Sequence, residues 1–212
     1  MHLAGRAGWA SCGRRPVRRD RRSAILAVAA RHFFGQGFSA TTMSSIAADA
    51  GGSKATLWKY FRSKEVLFEA VVETATERLH GDALAQLSAP GDPLAVLQSF
   101  VIPLIDALRS DDSLTLQREV GAQAIRLPRA AALLRRRLVD DLEAPLSDFF
   151  AAHMANGALR GDNPDEAAWI TLALCLGFNH RHLLGGDDMH RDGEVAEGAP
   201  DVMKILRRLY GP

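Results

Sequence analysis

Apolar positions recur along this chain at helical intervals, and almost nowhere do they alternate with polar ones as a half-buried strand requires. Ile25, Val28, Ala29 and Phe33 share one face of a helix predicted from about Arg19 to Gln36, with Gly37 as its stop. Two short segments follow. "MSSIAADA" is capped by Thr41 or Thr42 and ended by Gly51, and "KATLWKYF" is capped by Ser53. Ser63 then opens "KEVLFEAVVETATERLHGDALAQL", where Glu65 in the first turn suits the positive end of the helix dipole. Beyond "SAPGDP", helical patterns cover about 93–109, 113–126, 129–157, 164–184 and 200–210, separated by Pro and Gly. The stretch "GGDDMHRDGEVAEGAP", 185–200, has no apolar periodicity and predicts a mobile connection. The expected fold is all-α, divided into a disordered basic arm (1–18), a small helical domain (19–66) and a larger helical domain (67–212).

Charge sharpens that division. Residues 1–64 hold twelve Lys and Arg against Asp20 and Asp49, whereas the rest of the chain holds fourteen against twenty-three acids. An amino-terminal module suited to a polyanion is thereby joined to one that repels it. Seven of the arginines lie within the first 22 residues, but Arg31, Lys54, Lys59, Arg62 and Lys64 sit inside patterned sequence. The longest apolar run, "ITLALCLGF", is well short of the roughly 20 residues that span a bilayer. Arginines interrupt the amino terminus where a signal peptide needs an apolar stretch, so a cytoplasmic protein without a membrane partner is expected. Cys12 and Cys175 offer neither a disulfide framework nor a paired-cysteine metal site.

Two short helices joined by a glycine turn form a helix-turn-helix, whose second helix enters the major groove of DNA. Ile46 and Ala50 supply inward positions, Ala47 a close crossing, Leu57 the return contact and Gly51 the left-handed turn. Gly52 stands where an apolar side chain would pin the turn. Ser53, Lys54, Ala55, Thr56, Lys59 and Tyr60 face outward. Lys54 to Thr56 are placed to meet base edges, and the methyls of Ala55 and Thr56 suit thymine. Thr42, Lys59, Tyr60 and Lys64 are assigned to phosphates. Phe61 reads as an anchor on the first helix. Trp58 is counted with the DNA-facing residues, an anchoring role remaining open.

The run "ILAVAARHFFGQGFSATTMSSIAADAGGSKATLWKYFRSKEVLFEAV", 25–71, resembles the amino-terminal domain of the TetR (tetracycline-repressor) family of transcriptional regulators. Its Phe-x-x-x-Gly-Phe, Thr-Thr, Ile-Ala, Ala-Gly, Thr-Leu-aromatic and Phe-x-Ser-Lys-Glu elements match in order and spacing. Trp58 replaces the usual Tyr, and Gly52 the usual Val or Ile. The resemblance implies an all-helical homodimer that binds a palindromic operator in double-stranded DNA, its subunits paired through their last two helices. "REVGAQAIRLPRAAALLRRRL" and "GALRGDNPDEAAWITLALCLGF" resemble the AefR-like branch of the family. Before the family pattern, Arg14, Arg15, Arg18, Arg19, Arg21 and Arg22 read as an arm along phosphates or the minor groove, as a solvated tail, or as extra residues translated from an upstream start codon.

In the larger domain, Ile170, Leu174 and Phe178 recur at helical spacing, and "APDVMKILRRLYG" supplies a second apolar face for subunit pairing. Phe100, Leu104 and Phe150 are candidates to surround a pocket for a small, largely apolar effector, with Gln117, Glu119, His153 and Asn179 to orient it. Pro103 suggests a kink that opens space. "HRH" at 180–182 is a poor metal motif, since residues two apart on a helix diverge; no metal and no cofactor are expected. There is no phosphate loop, nucleophile elbow or metal-spaced His and carboxylate set, so an enzyme is not expected. The expected function is an effector-released repressor, with the helix from Ser63 carrying the motion. The alternative is a DNA-binding adaptor whose carboxy-terminal domain binds a protein partner or nothing. An apolar cavity between residues 94 and 184 favours the first, and a fully packed core the second.

Overall fold

The computed structural model describes residues 18–185 and 198–212. The predicted basic arm therefore lies outside the described residues, except for its last position, as does most of the loop predicted over 185–200. Among the described residues ten α-helices follow one another: α1 (Arg18–Ala40), α2 (Met43–Asp49), α3 (Lys54–Tyr60), α4 (Lys64–Gln86), α5 (Pro93–Arg109), α6 (Asp111–Gln123), α7 (Pro128–Arg135), α8 (Asp141–Ala155), α9 (Pro164–Gly185) and α10 (Gly198–Tyr210). No strand occurs among the described residues. The expected all-α architecture is the observed one.

Helix α1 departs from helical geometry at Gly37 (φ 80°, ψ 161°), the residue predicted to stop it. Only glycine takes that conformation without strain. The break turns Phe38 inward, where its ring stacks with Phe33 at 5.8 Å and meets Phe68 of α4 edge-on at 5.1 Å. Thr41 is buried, and its hydroxyl donates to the Gly37 carbonyl at 2.8 Å. It closes the end of α1, leaving Thr42 to cap α2.

Lys64 completes this corner. Its ammonium lies 4.3 Å from the Phe38 ring centroid and donates to the carbonyls of Phe38 (2.8 Å) and Thr41 (2.9 Å). Carbonyls at a helix end lack intrahelical partners, and a cation there satisfies them. The expectation that Lys64 holds a phosphate is therefore corrected: its donors are spent on the chain's own backbone.

The pattern over 129–157 predicts one helix, but the structure divides it. Between α7 and α8 lies a π turn, Arg136–Asp140, in which the Asp141 amide donates to the Arg136 carbonyl five residues back. Pro145 lies inside α8; it cannot donate to the Asp141 carbonyl, and its ring crowds that oxygen. The hydrogen-bond ladder is thus already interrupted where the π turn ends. Helix α6 begins two residues earlier than predicted, because Ser110 caps it and Asp111 and Asp112 favour its first turn. α5 continues as one helix through Pro103.

Helix α4 packs on α1, α5 and α7, α9 packs on α8, α5 and α10, and a continuous apolar core joins the small domain to the large one. Among the described residues no helix is long and apolar enough to cross a membrane by itself. Lys64→Met keeps the aliphatic stem and removes the ammonium, so it should lower unfolding stability by about 1.5–3 kcal/mol, measured by urea denaturation, because two buried carbonyls lose a charged donor.

Candidate nucleic-acid interface and regulatory pocket

Seven residues of α3 cannot hold a helix in water unaided. Leu57 and Phe61, each 2% exposed, anchor it, and Ser53 caps it by accepting from the Thr56 amide at 3.2 Å. Thr42 does the same for α2 through a capping box with Ser45. Between them Gly51 takes φ 65°, and the Gly52 amide donates to the Ala47 carbonyl at 3.2 Å. The two helices are locked in the arrangement that the sequence predicts.

Anchoring one face of α3 presents the other. Lys54, Ala55 and Lys59 are exposed, Thr56 and Tyr60 half-buried, and Trp58 is 48% exposed. The open choice for Trp58 falls on the outward side, with Phe61 as the inward anchor. The hydroxyls of Ser53 and Thr56 lie 3.0 Å apart, so Thr56 keeps its methyl for a base while its oxygen is engaged. Thr42 is exposed at the start of α2.

Three features of this surface escape the sequence. His32 Nε2 lies 2.7 Å from Asp49 Oδ2, tying α1 to α2 and turning the acid toward a histidine. Arg22 lies over the Phe61 ring at 5.4 Å. Arg21 reaches the glycine turn, where a Cβ built on Gly52 would collide with its Nη2. Helical periodicity places none of these cross-helix pairs.

The residues proposed to orient an effector separate into two groups. Gln117 donates to the Leu108 carbonyl (3.2 Å) and Ser113 (3.1 Å) and accepts from Asn179 at 3.0 Å. Asn179 is buried, and its Oδ1 has no partner. Gln117 also lines an open apolar cavity of about 240 Å³ with Val120, Gly121, Leu134, Leu138 and Leu176. Glu119, by contrast, accepts from the Phe38 amide at 3.0 Å, joining α6 to the end of α1. Its assignment to an effector is corrected: it holds the two domains together. Phe100, Leu104 and Phe150 are fully buried in the core, and none lines this cavity. His153 packs against Phe149 at 4.6 Å with its Nδ1 buried and unpartnered, also away from the cavity. These four serve packing here.

Burial pushes the Cys175 thiol up to about 12, which leaves it protonated and a poor nucleophile. Among the described residues, no three His, Cys, Asp or Glu gather as metal ligands.

Comparison with known proteins accords with this geometry. Residues 25–71 match the model for bacterial regulatory proteins of the tetR family, and residues 95–212 that for the AefR-like transcriptional repressor carboxy-terminal domain. The regulator AcrR of Shigella flexneri is 31% identical over 200 residues, covering 90% of this chain and 89% of its own. Among solved structures, a TetR-family regulator from Mesorhizobium loti superposes with a TM-score of 0.76 at 24% identity, covering 92% of this chain and 100% of its own, a likeness of fold. The flavonoid-responsive regulator FrrA has a TM-score of 0.66 at 26% identity, covering 92% of this chain and 98% of its own. With a capped and anchored helix-turn-helix joined to a helical domain of AefR-like type, this chain belongs to the TetR family of DNA-binding transcriptional regulators.

Proposed function

We propose that the chain is a cytoplasmic repressor that binds a palindromic operator as a homodimer and leaves it when a small, largely apolar effector binds. The carrying observation is the outward face of α3: Lys54 and Ala55 exposed at its start, Trp58 and Lys59 further along, on a helix fixed from behind by Leu57 and Phe61. Such a face suits base edges at its amino-terminal end and the sugar-phosphate backbone further along.

The last two described helices suit subunit pairing. On α9, Trp169 is 59% exposed and lies in line with exposed Ala173, Gly177 and His180, while α10 exposes Leu209. A large apolar ring followed by small residues is the relief into which a second helix packs, and a two-fold dimer presents two reading helices to two half-sites.

Effector control rests on α6. One stretch of this helix lines the apolar cavity through Gln117, Val120 and Gly121, and between them Glu119 grips the Phe38 amide. A ligand that prefers a shifted α6 would change the seat of α1, and differential affinity is the only way an effector can act. FrrA, flavonoid-responsive by name, supports a small-molecule effector in a related framework. The packed Phe100, Leu104 and Phe150 core is what the adaptor alternative draws on.

Selection of bound duplexes from a random library should return an inverted repeat with half-sites about one helical turn apart. Lys54→Ala should then relax base preference at one position of each half-site by about 1–3 kcal/mol; a library without enrichment sinks the reading. Trp169→Glu should give a monomer by light scattering and abolish operator retention at concentrations where the parent chain binds. Gly121→Phe carries a side chain into a cavity where a Cβ meets nothing within 4 Å. It should mimic a bound ligand and change operator affinity at least about fivefold in anisotropy titrations, the lower range of allosteric coupling. An unchanged affinity in a folded protein supports the adaptor.

A further inference from the structure

The turn of the helix-turn-helix is built from two glycines with different work. Gly51 needs its positive φ of 65°, but Gly52 does not lie in the left-handed region. What distinguishes Gly52 is the space beside it: a Cβ there would overlap Arg21 Nη2, and the next closest group is the Thr56 side chain at 3.8 Å. Arg21 belongs to the first turn of α1, is half-buried, and finds no carboxylate among the described side chains. Its neighbour Arg22 leans on Phe61 at the far end of α3. Two adjacent arginines thus bracket the reading helix, one over its entry and one over its exit.

With no carboxylate partner among the described side chains, the guanidinium is not held against the neutral turn by an ion pair with any of them. The planar group fits because Gly52 has no side chain, and its other edge is left for a partner outside the fold. Thr56 lies beside the same glycine, and exposed Lys54 and Ala55 follow it in the chain; these meet DNA if the function proposed above holds. We propose that Arg21 is a phosphate-binding residue of the DNA interface, seated by the absence of a side chain at Gly52. The glycine that weakens the apolar pin of the turn creates the seat for a cation, and a guanidinium there offers a forked pair of donors to one phosphate. Arg21 belongs to the folded domain rather than to the arginine arm before it.

The contact is independent of sequence, so it can be read on a labelled random-sequence duplex of about three helical turns. Anisotropy titrations of the full chain over a series of salt concentrations give the slope of log K against log salt. Each phosphate contact contributes about 0.9 to that slope. Arg21→Gln should flatten it by about one per subunit and weaken binding at every salt concentration. Arg21→Lys, which keeps the charge, should retain the slope. Gly52→Val should flatten it as much as Arg21→Gln although Arg21 is still present, and the double variant should show no further change. Thermal melts confirm that each variant is folded. A parental slope in folded Arg21→Gln, with only its melting temperature lowered, would show that the arginine merely fills the turn and would overturn the proposal. A parental slope in Gly52→Val would overturn the role of the glycine. Failure of the unmodified chain to bind any duplex would overturn the DNA-binding reading, and this proposal with it.

Discussion

The meeting of three helices at Phe38 is the constraint on which the rest of the structure depends. Gly37 breaks α1 in a conformation that only glycine adopts freely, and the break turns Phe38 between Phe33 and Phe68. The peptide groups exposed by the break are then satisfied from opposite directions. Glu119 of α6 accepts from the Phe38 amide, and Lys64 of α4 donates to the Phe38 carbonyl. One residue of the small domain is therefore gripped on both sides, by an anion from the large domain and a cation from the connecting helix. Without these partners the corner would bury polar groups at a cost of about 1–3 kcal/mol each, so position and stability are set together.

The reading helix is held in the same small domain. α3 is too short to organise itself, and it is held by the burial of Leu57 and Phe61 and by its packing on α2, which in turn packs on α1. The corner carries displacement as well as load. Interdigitated aromatic rings at 5.1 and 5.8 Å do not deform gradually. On the effector control proposed above, a shift of α6 would either leave the corner in place or move it as a unit, which is the behaviour a switch needs. The helix from Ser63, expected to carry the motion, meets the carbonyl of Phe38 through Lys64, and α6 meets the amide of the same residue through Glu119.

The small domain was legible in the sequence because each of its instructions is local. Caps at Thr42, Ser53 and Ser63, the positive-φ glycines 37 and 51, and the inward positions Ile46, Leu57 and Phe61 are set by neighbours within a few residues. Lys64 and Glu119 were misassigned for the opposite reason. Their partners lie 26 and 81 residues away, and a charged side chain whose partner is a backbone group leaves no complementary charge to be noticed. Phe100, Leu104 and Phe150 show a related limit: periodicity tells that an aromatic faces inward but not whether the space before it is filled. Gly52 stands out in the sequence only as a missing apolar pin, since the arginine that occupies its space comes from another helix.

The π turn shows how a local irregularity shapes the cavity. In a regular helix Leu134 and Leu138 share a face, while Val139 is rotated away by a further 100° or so. Widening the turn over Arg136–Asp140 brings the side chain five residues on toward the same direction, and Leu134, Leu138 and Val139 all line the cavity. The opposite wall is α6, with Gln117, Val120 and Gly121. Gln117 is already satisfied by Leu108, Ser113 and Asn179, so it tolerates an apolar neighbour without losing a partner. Any group that fills the space must therefore press on two elements of unequal stiffness. The hydrogen-bond ladder is interrupted between α7 and α8 and regular in α6, and α6 holds the Phe38 amide. If an effector of the kind proposed above occupies this space, how far α7 and the π turn yield decides how much of its binding energy reaches the DNA-binding domain.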